Sequence, residues 1–127
     1  MRRLIWWHAR MLPLLVGNRD LQSILRYADV GPDPAFAGVP AEAIAGWVIA
    51  ATRKPWLMRK RRCLRQGLLG MRFMRLAGHD PELHFGIDRQ SLAASSVAAH
   101  CWIVLGGKPV LNDILEGMEP VHTWRPE

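Results

Sequence analysis

The middle of the chain contains no acidic residues. No Asp or Glu occurs between Glu42 and Asp80, whereas nine Lys and Arg residues lie in that stretch and the formal net charge of the chain is +6. A surface of this charge attracts acidic peptides, acidic proteins or nucleic acids. The charge alone does not choose among these partners, and a solvated basic face accounts for the same arginines without nucleic acid. Nucleic-acid binding is the minor alternative, and it predicts an affinity that falls steeply with added salt.

Long hydrophobic runs are also absent, and cysteine is scarce. No stretch offers the roughly 20 apolar residues that a membrane span needs. The first residues, MRRLIWW, resemble the charged start of a signal peptide, but His8 and Arg10 interrupt the apolar run that would have to follow. We therefore expect a soluble, cytoplasmic protein with no membrane partner. Its two cysteines, Cys63 and Cys101, are expected to be reduced thiols.

The hydrophobic pattern predicts helices followed by strands within one domain, residues 1–127. Helical spacing covers residues 3–28 as two short helices or one kinked helix, then 40–54 and about 59–77; alternation predicts strands at 82–87, 98–105 and 108–111. The fold class is therefore α+β. We divide the chain into a helical N-terminal region (1–52), a core (55–113) and a tail (114–127) that adds an edge strand or wraps the surface.

Cys63 is the first candidate for chemistry. It lies near the start of a predicted helix and follows four basic residues, and both features stabilise a thiolate and lower the pKa of a thiol. Gly67 and Gly70 share its helical face, so a sheet can approach that face closely, while Arg61, Arg65, Arg72 and Arg75 are expected on the opposite, solvent face. The alternative is a small buried core thiol.

His100 and Asp113 are the candidates for partners of this thiol. His100 lies in an otherwise apolar strand and must find a polar partner there, either at a catalytic site or as a satisfied core histidine. Strand alternation turns Cys101 to the other face, which indicates that Cys101 packs in the core. Asp113 follows the Gly106-Gly107 hairpin and would orient the imidazole; it competes with Asp88 and with an ordinary role as a turn residue.

The segments CLRQGLLGMRFMRLAGHDPELHFGID and AHCWIVLGGKPVLND resemble the transglutaminase-like cysteine enzymes. More narrowly, they resemble the stand-alone leader peptidase of lasso-peptide biosynthesis, the peptidase half of the B protein. The resemblance runs from about Pro55 to Asp113 and implies a transglutaminase- or papain-like core, in which a cysteine-bearing helix packs on a small antiparallel sheet after two or three N-terminal helices. It assigns Cys63 as nucleophile, His100 as general base and acid, and Asp113 as the residue that orients His100.

The resemblance also implies a substrate and partners. The substrate would be a ribosomally made precursor, cut at the leader–core junction through a thioester intermediate so that a separate cyclase can close the macrolactam ring. The N-terminal region shows no winged-helix pattern, so we expect a separate small leader-recognition protein as partner, with the cyclase as a further candidate. No cofactor is implied. His79 and His84 are possible metal ligands with Cys63 or His100, but no close Cys or His pair indicates a metal site.

A protein without catalytic activity is the main alternative. In that case the triad would be a remnant, and the basic helix and the tryptophans would dock the leader-recognition protein or the cyclase. The two hypotheses differ in the reactivity that they predict for Cys63, because only a catalytic thiol needs to be both ionised and accessible.

Overall fold

The computed structural model describes residues 1–16, 20–53, 62–88, 99–112 and 118–126. These residues form four α-helices and four β-strands: α1 (Arg2–Val16), α2 (Leu21–Leu25), α3 (Ala41–Ala51), α4 (Arg62–Leu76), β1 (Glu82–Asp88), β2 (Ala99–Leu105), β3 (Lys108–Leu111) and β4 (Met118–Trp124). The predicted α+β class is confirmed. None of the helices in the described ranges combines the length and the apolar character that crossing a bilayer requires.

The N-terminal helices follow the predicted pattern. The two-helix alternative is confirmed for the first segment, since α1 and α2 are separate helices. The Gly/Pro-rich segment 31–40 contains only one short 3₁₀ turn, Pro34–Phe36, which Asp33 caps by accepting a hydrogen bond from the Ala35 amide. Helix α3 begins directly after Pro40, as expected for a proline that precedes a first turn.

The four strands form one antiparallel sheet in the order β3-β2-β1-β4. Gly106 and Gly107 connect β2 to β3, and both have positive φ angles, 60° and 80°, which are the values that a tight hairpin turn requires of its two central residues. The tail pairs with β1 as β4, so the edge-strand alternative is confirmed for residues 118–124.

Helix α4 lies against β1, β2 and β3 through the face that bears its glycines. A Cβ atom at Gly67 would lie 2.8 Å from Leu83 Cδ1, and one at Gly70 would lie 2.5 Å from Ile103 Cδ1. The predicted close approach of a sheet to these glycines is therefore confirmed. Buried side chains from all four helices and from β1, β2 and β3 join into one hydrophobic cluster around this contact.

The prediction that the arginines of α4 point to solvent is wrong for two of them. Arg72 is half-buried and donates a hydrogen bond to the Tyr27 carbonyl at 2.7 Å, with its guanidinium 4.8 Å from the centre of the Tyr27 ring. Arg75 donates to the Val30 carbonyl at 3.1 Å. The segment after α2 lies across this face of α4, and its free carbonyls bind the guanidinium groups. Arg65 is also half-buried, whereas Arg61 lies outside the described residues.

Candidate active site

Cys63 lies in the first turn of α4, half-buried at the edge of the core. Its sulfur is within hydrogen-bonding reach of the thiol and backbone of Cys101 and of the His100 side chain. The structure therefore brings together Cys63 and His100, two of the three site residues predicted from the sequence.

The pKa of Cys63 is lowered to about 5. The main cause is the hydrogen bond from the Cys101 thiol, which stabilises the thiolate; burial opposes it, and the Cys101 backbone and His100 add to the lowering. The sequence predicted a lowered pKa, but from the helix start and the preceding basic residues, whose side chains lie outside the described part of the chain. At neutral pH, Cys63 is a thiolate, which is the nucleophilic form of cysteine.

Cys101 contacts the site from the core side. It is 1% exposed, so the prediction that it packs in the core is confirmed. Burial and the neighbouring Cys63 raise the pKa of its thiol, with the hydrogen bond to Cys63 as the largest cause. Cys101 thus keeps its proton and donates it in a hydrogen bond, while Cys63 carries the charge. Sequence reasoning missed this role, because it placed Cys101 only relative to His100 and not relative to the helix.

His100 is the second residue of β2 and is half-buried. It pairs with Gly86 on β1, which has no side chain to fill the space opposite the imidazole. Its ring stacks on Trp102 with centroids 6.1 Å apart and an interplanar angle of 27°. Trp102 is 1% exposed, so this contact holds the imidazole against a fixed surface. The charge of His100 and its hydrogen bond both favour the Cys63 thiolate.

Asp113 and Asp88 are the two candidates for the third residue. Asp113 lies outside the described residues, and for Asp88 only the backbone, at the end of β1, is described. Asn112, the residue before Asp113, is bonded to the strand that carries His100. It adopts a left-handed conformation (φ 59°) and donates from Nδ2 to the Cys101 carbonyl at 3.3 Å. This bond ties the end of β3 to the strand residue that follows His100.

Thr52 and Gln66 form a polar contact behind the first turns of α4 that the sequence did not reveal. Thr52 is 1% exposed; its hydroxyl donates to the Val48 carbonyl at 2.8 Å and accepts from Gln66 Nε2 at 2.8 Å. Because Gln66 lies one turn after Cys63, the bond fixes the beginning of α4 against the end of α3. A buried Thr after an apolar helix is the only sequence signal that could have indicated it.

Comparison with protein families identifies this arrangement of helix and sheet. The family model of the transglutaminase-like superfamily matches residues 7–123. The chain belongs to the transglutaminase-like superfamily. This superfamily includes cysteine peptidases and transglutaminases, whose common chemistry is attack by a cysteine thiolate on a carbonyl. No curated protein and no solved structure matches the chain.

The superfamily match supports the cysteine-led core and places α1, α2 and α3 largely inside the matched region, because the match begins at residue 7. Among the described residues, no group of three or more His, Cys, Asp or Glu side chains is arranged to hold a metal ion. His79 donates from Nε2 to the Val39 carbonyl at 2.8 Å, and His84 Nε2 lies 3.7 Å from Glu82 Oε1. Neither histidine is a described neighbour of Cys63.

Proposed function

We propose that this protein is a cysteine endopeptidase that removes the leader from a ribosomally made lasso-peptide precursor. The observation that carries the proposal is the pairing of a half-buried Cys63, whose pKa is lowered to about 5, with His100 within hydrogen-bonding reach. A thiolate held beside an imidazole is the arrangement that acyl transfer through a thioester needs. The leader–core specificity rests on the resemblance of residues 55–113 to the lasso leader peptidases.

The reaction has two steps. The Cys63 thiolate attacks the carbonyl carbon at the leader–core junction, the C–N bond breaks, and the departing amine takes the proton held by His100. Water then attacks the thioester, with His100 accepting its proton, and Cys63 leaves as the thiolate. We assign the backbone amide of Cys63, near the start of α4, as one donor that stabilises the oxyanion in both steps.

Asp113 is our proposal for the residue that orients His100. It directly follows Asn112 in the sequence, and Asn112 Nδ2 donates to the carbonyl of Cys101, the residue after His100. A carboxylate that accepts from the far imidazole nitrogen would hold the tautomer that faces the thiol. Asp113→Asn should reduce kcat, while Cys63 should still be alkylated by a thiol reagent. Asp88→Asn should leave kcat unchanged.

The proposed partners are the precursor peptide and a separate small leader-recognition protein, with the cyclase as a further candidate. The test is cleavage of a candidate precursor, a short peptide to be sought in the reading frames that flank this gene, in the presence of the recognition protein and followed by mass spectrometry. Cys63→Ala should abolish cleavage, because no other described thiol is both exposed and ionised. Circular dichroism serves as the control for folding. Cleavage by folded Cys63→Ala protein at the rate of the unchanged protein would overturn the proposal.

A further inference from the structure

Helix α1 exposes a row of large apolar side chains. Leu4, Trp7, Met11 and Leu14 are 43%, 60%, 47% and 78% exposed. With Trp6, they make up five of the seven large hydrophobic residues that are exposed in the described part of the chain. The core does not need this row, since Ile5, Ala9 and Leu12 on the other side of α1 already bury the helix against the protein. Helix α1 therefore has a second apolar face that no residue of the described ranges covers.

The spacing of the exposed residues is that of a coiled-coil seam. Leu4, Trp7, Met11 and Leu14 recur at intervals of three, four and three residues, which is the a–d–a–d pattern of two heptads. A row with this spacing presents knobs and holes to one further helix lying along it. A strand or an irregular loop would contact only part of such a row, because its side chains do not repeat at this interval. The geometry favours a helical occupant.

The charges beside the row select the occupant further. Arg3 and Arg10 occupy the position that flanks the seam in each heptad, and the first 19 residues contain no Asp or Glu. The Arg10 guanidinium lies 3.4 Å from the centre of the Trp6 ring, which fixes its charge beside the seam. Arg2, Arg3, Trp6 and Trp7 also line, with Trp47 of α3, a groove of about 370 Å³ on this side of the helix.

These observations disfavour a second copy of this chain. In an antiparallel pair of α1 helices, Arg3 and Arg10 of one copy would face those of the other. In a parallel pair Arg3 would face the position of His8 and Arg10 that of Leu15, so neither arrangement offers a carboxylate. A helix with acidic residues at its flanking positions would neutralise both arginines while its apolar side chains fill the seam.

We propose that Leu4, Trp7, Met11 and Leu14, with Arg3 and Arg10, form a docking surface for an acidic amphipathic helix of a partner protein. The surface lies on α1 and involves none of the residues that contact Cys63, so the proposal does not depend on the proposed peptidase reaction. If both hold, the partner helix brings its protein to the peptidase without entering the site.

The test uses a designed helical peptide of about three heptads with Leu at the seam and Glu at the flanking positions. Its control peptide carries Lys in place of each Glu. Binding to the full chain is measured by fluorescence anisotropy at low and at physiological salt. We expect the Glu peptide to bind, its affinity to fall with salt, and the Lys peptide to bind at least about tenfold more weakly.

Two variants locate the binding site on the protein. Leu14→Glu, in the seam, should weaken binding of the Glu peptide at least about tenfold, as expected for loss of an anchor and gain of a like charge. Leu21→Glu is the matched control, because Leu21 is 44% exposed but lies on α2, outside the seam. The affinity of this variant for the Glu peptide should be unchanged. Circular dichroism confirms that both variants fold.

Four results would overturn the proposal. The first two are absence of binding by the Glu peptide and equal binding of the Glu and Lys peptides. The third is a dimer of the unchanged chain that the Leu14→Glu substitution dissociates. The fourth is binding of the chain to anionic lipid vesicles, abolished by Leu14→Glu, when the Glu peptide itself does not bind. The last two would identify a second copy or a membrane surface as the occupant. Cleavage of the precursor by Cys63 is measured separately, so failure here leaves that result unaffected.

Discussion

At the residue scale, Cys101 controls the ionisation of Cys63. Because the hydrogen bond from the Cys101 thiol is the largest cause of the lowered pKa, Cys101→Ala should raise the pKa of Cys63 from about 5 toward that of an ordinary thiol. The measurement is the pH dependence of alkylation by iodoacetamide, read by mass spectrometry of the peptide that contains Cys63. In the unchanged protein the rate should rise through about pH 5 and be constant at neutral pH, since only the thiolate reacts.

The control for this measurement is Cys63→Ala, in which Cys101 is the remaining thiol. Cys101 should be alkylated slowly at every pH at which the protein is folded, because this residue is 1% exposed. A Cys101→Ala protein whose Cys63 is alkylated with the same pH dependence as in the unchanged protein would contradict the role of Cys101. Equal and slow labelling of both thiols in the unchanged protein would favour a scaffold without catalytic activity.

The sequence predicted Cys63 and His100 but not the part that Cys101 plays beside them. Alternation along a strand correctly separates the faces of His100 and Cys101, since that depends only on the backbone period. It does not give the position of a helix end relative to the sheet, which depends on how closely Gly67 and Gly70 let α4 approach. Cys63 lies where it reaches both residues, and this could be known only from the packing.

At the scale of elements, the contact of α4 with the sheet depends on the missing side chain at Gly70. A Cβ there would lie 2.5 Å from Ile103 Cδ1 and 2.6 Å from Leu111 Cδ2, and both side chains are buried. Gly70→Ala should therefore lower the free energy of unfolding by up to about 2 kcal/mol, because overpacking costs about 1–3 kcal/mol and the gain in helix propensity offsets roughly 1 kcal/mol of it. Urea unfolding followed by circular dichroism measures the change.

Gly46→Ala is the matched control, because Gly46 lies within α3 and no atom lies within 4 Å of its added Cβ. There the same substitution should raise the free energy of unfolding by up to about 1 kcal/mol. Similar changes at both positions would mean that the helix–sheet contact is looser than the distances indicate.

The sequence predicted which face of α4 the sheet approaches closely, but not that the segment after α2 crosses the opposite face. Hydrophobic periodicity divides a helix into faces without showing what covers each one.

At the scale of the whole molecule, the N-terminal helices and the sheet share one core. The sequence separates a helical N-terminal region, 1–52, from the core, 55–113, over which the family resemblance extends. In the structure, buried residues of α1 and α3 join the same cluster as those of α4 and β2. Burial of shared apolar surface, not chain composition, determines which segments unfold together. Circular dichroism and tryptophan fluorescence should therefore report the same unfolding midpoint.

Arg72 tests this connection, since it joins α4 to the segment after α2. Arg72→Met keeps an apolar stem but removes the hydrogen bond to the Tyr27 carbonyl and the contact with its ring, so it should lower the free energy of unfolding by about 1–3 kcal/mol. Arg125→Ala removes an exposed pair with Asp80 at 2.8 Å and should cost less than about 1 kcal/mol. Both values come from urea unfolding. Equal losses of unfolding free energy would show that the half-buried Arg72 guanidinium contributes no more than a surface ion pair. Two separate unfolding midpoints in Arg72→Met would show that the contact of Arg72 with Tyr27 makes the N-terminal helices unfold together with the sheet.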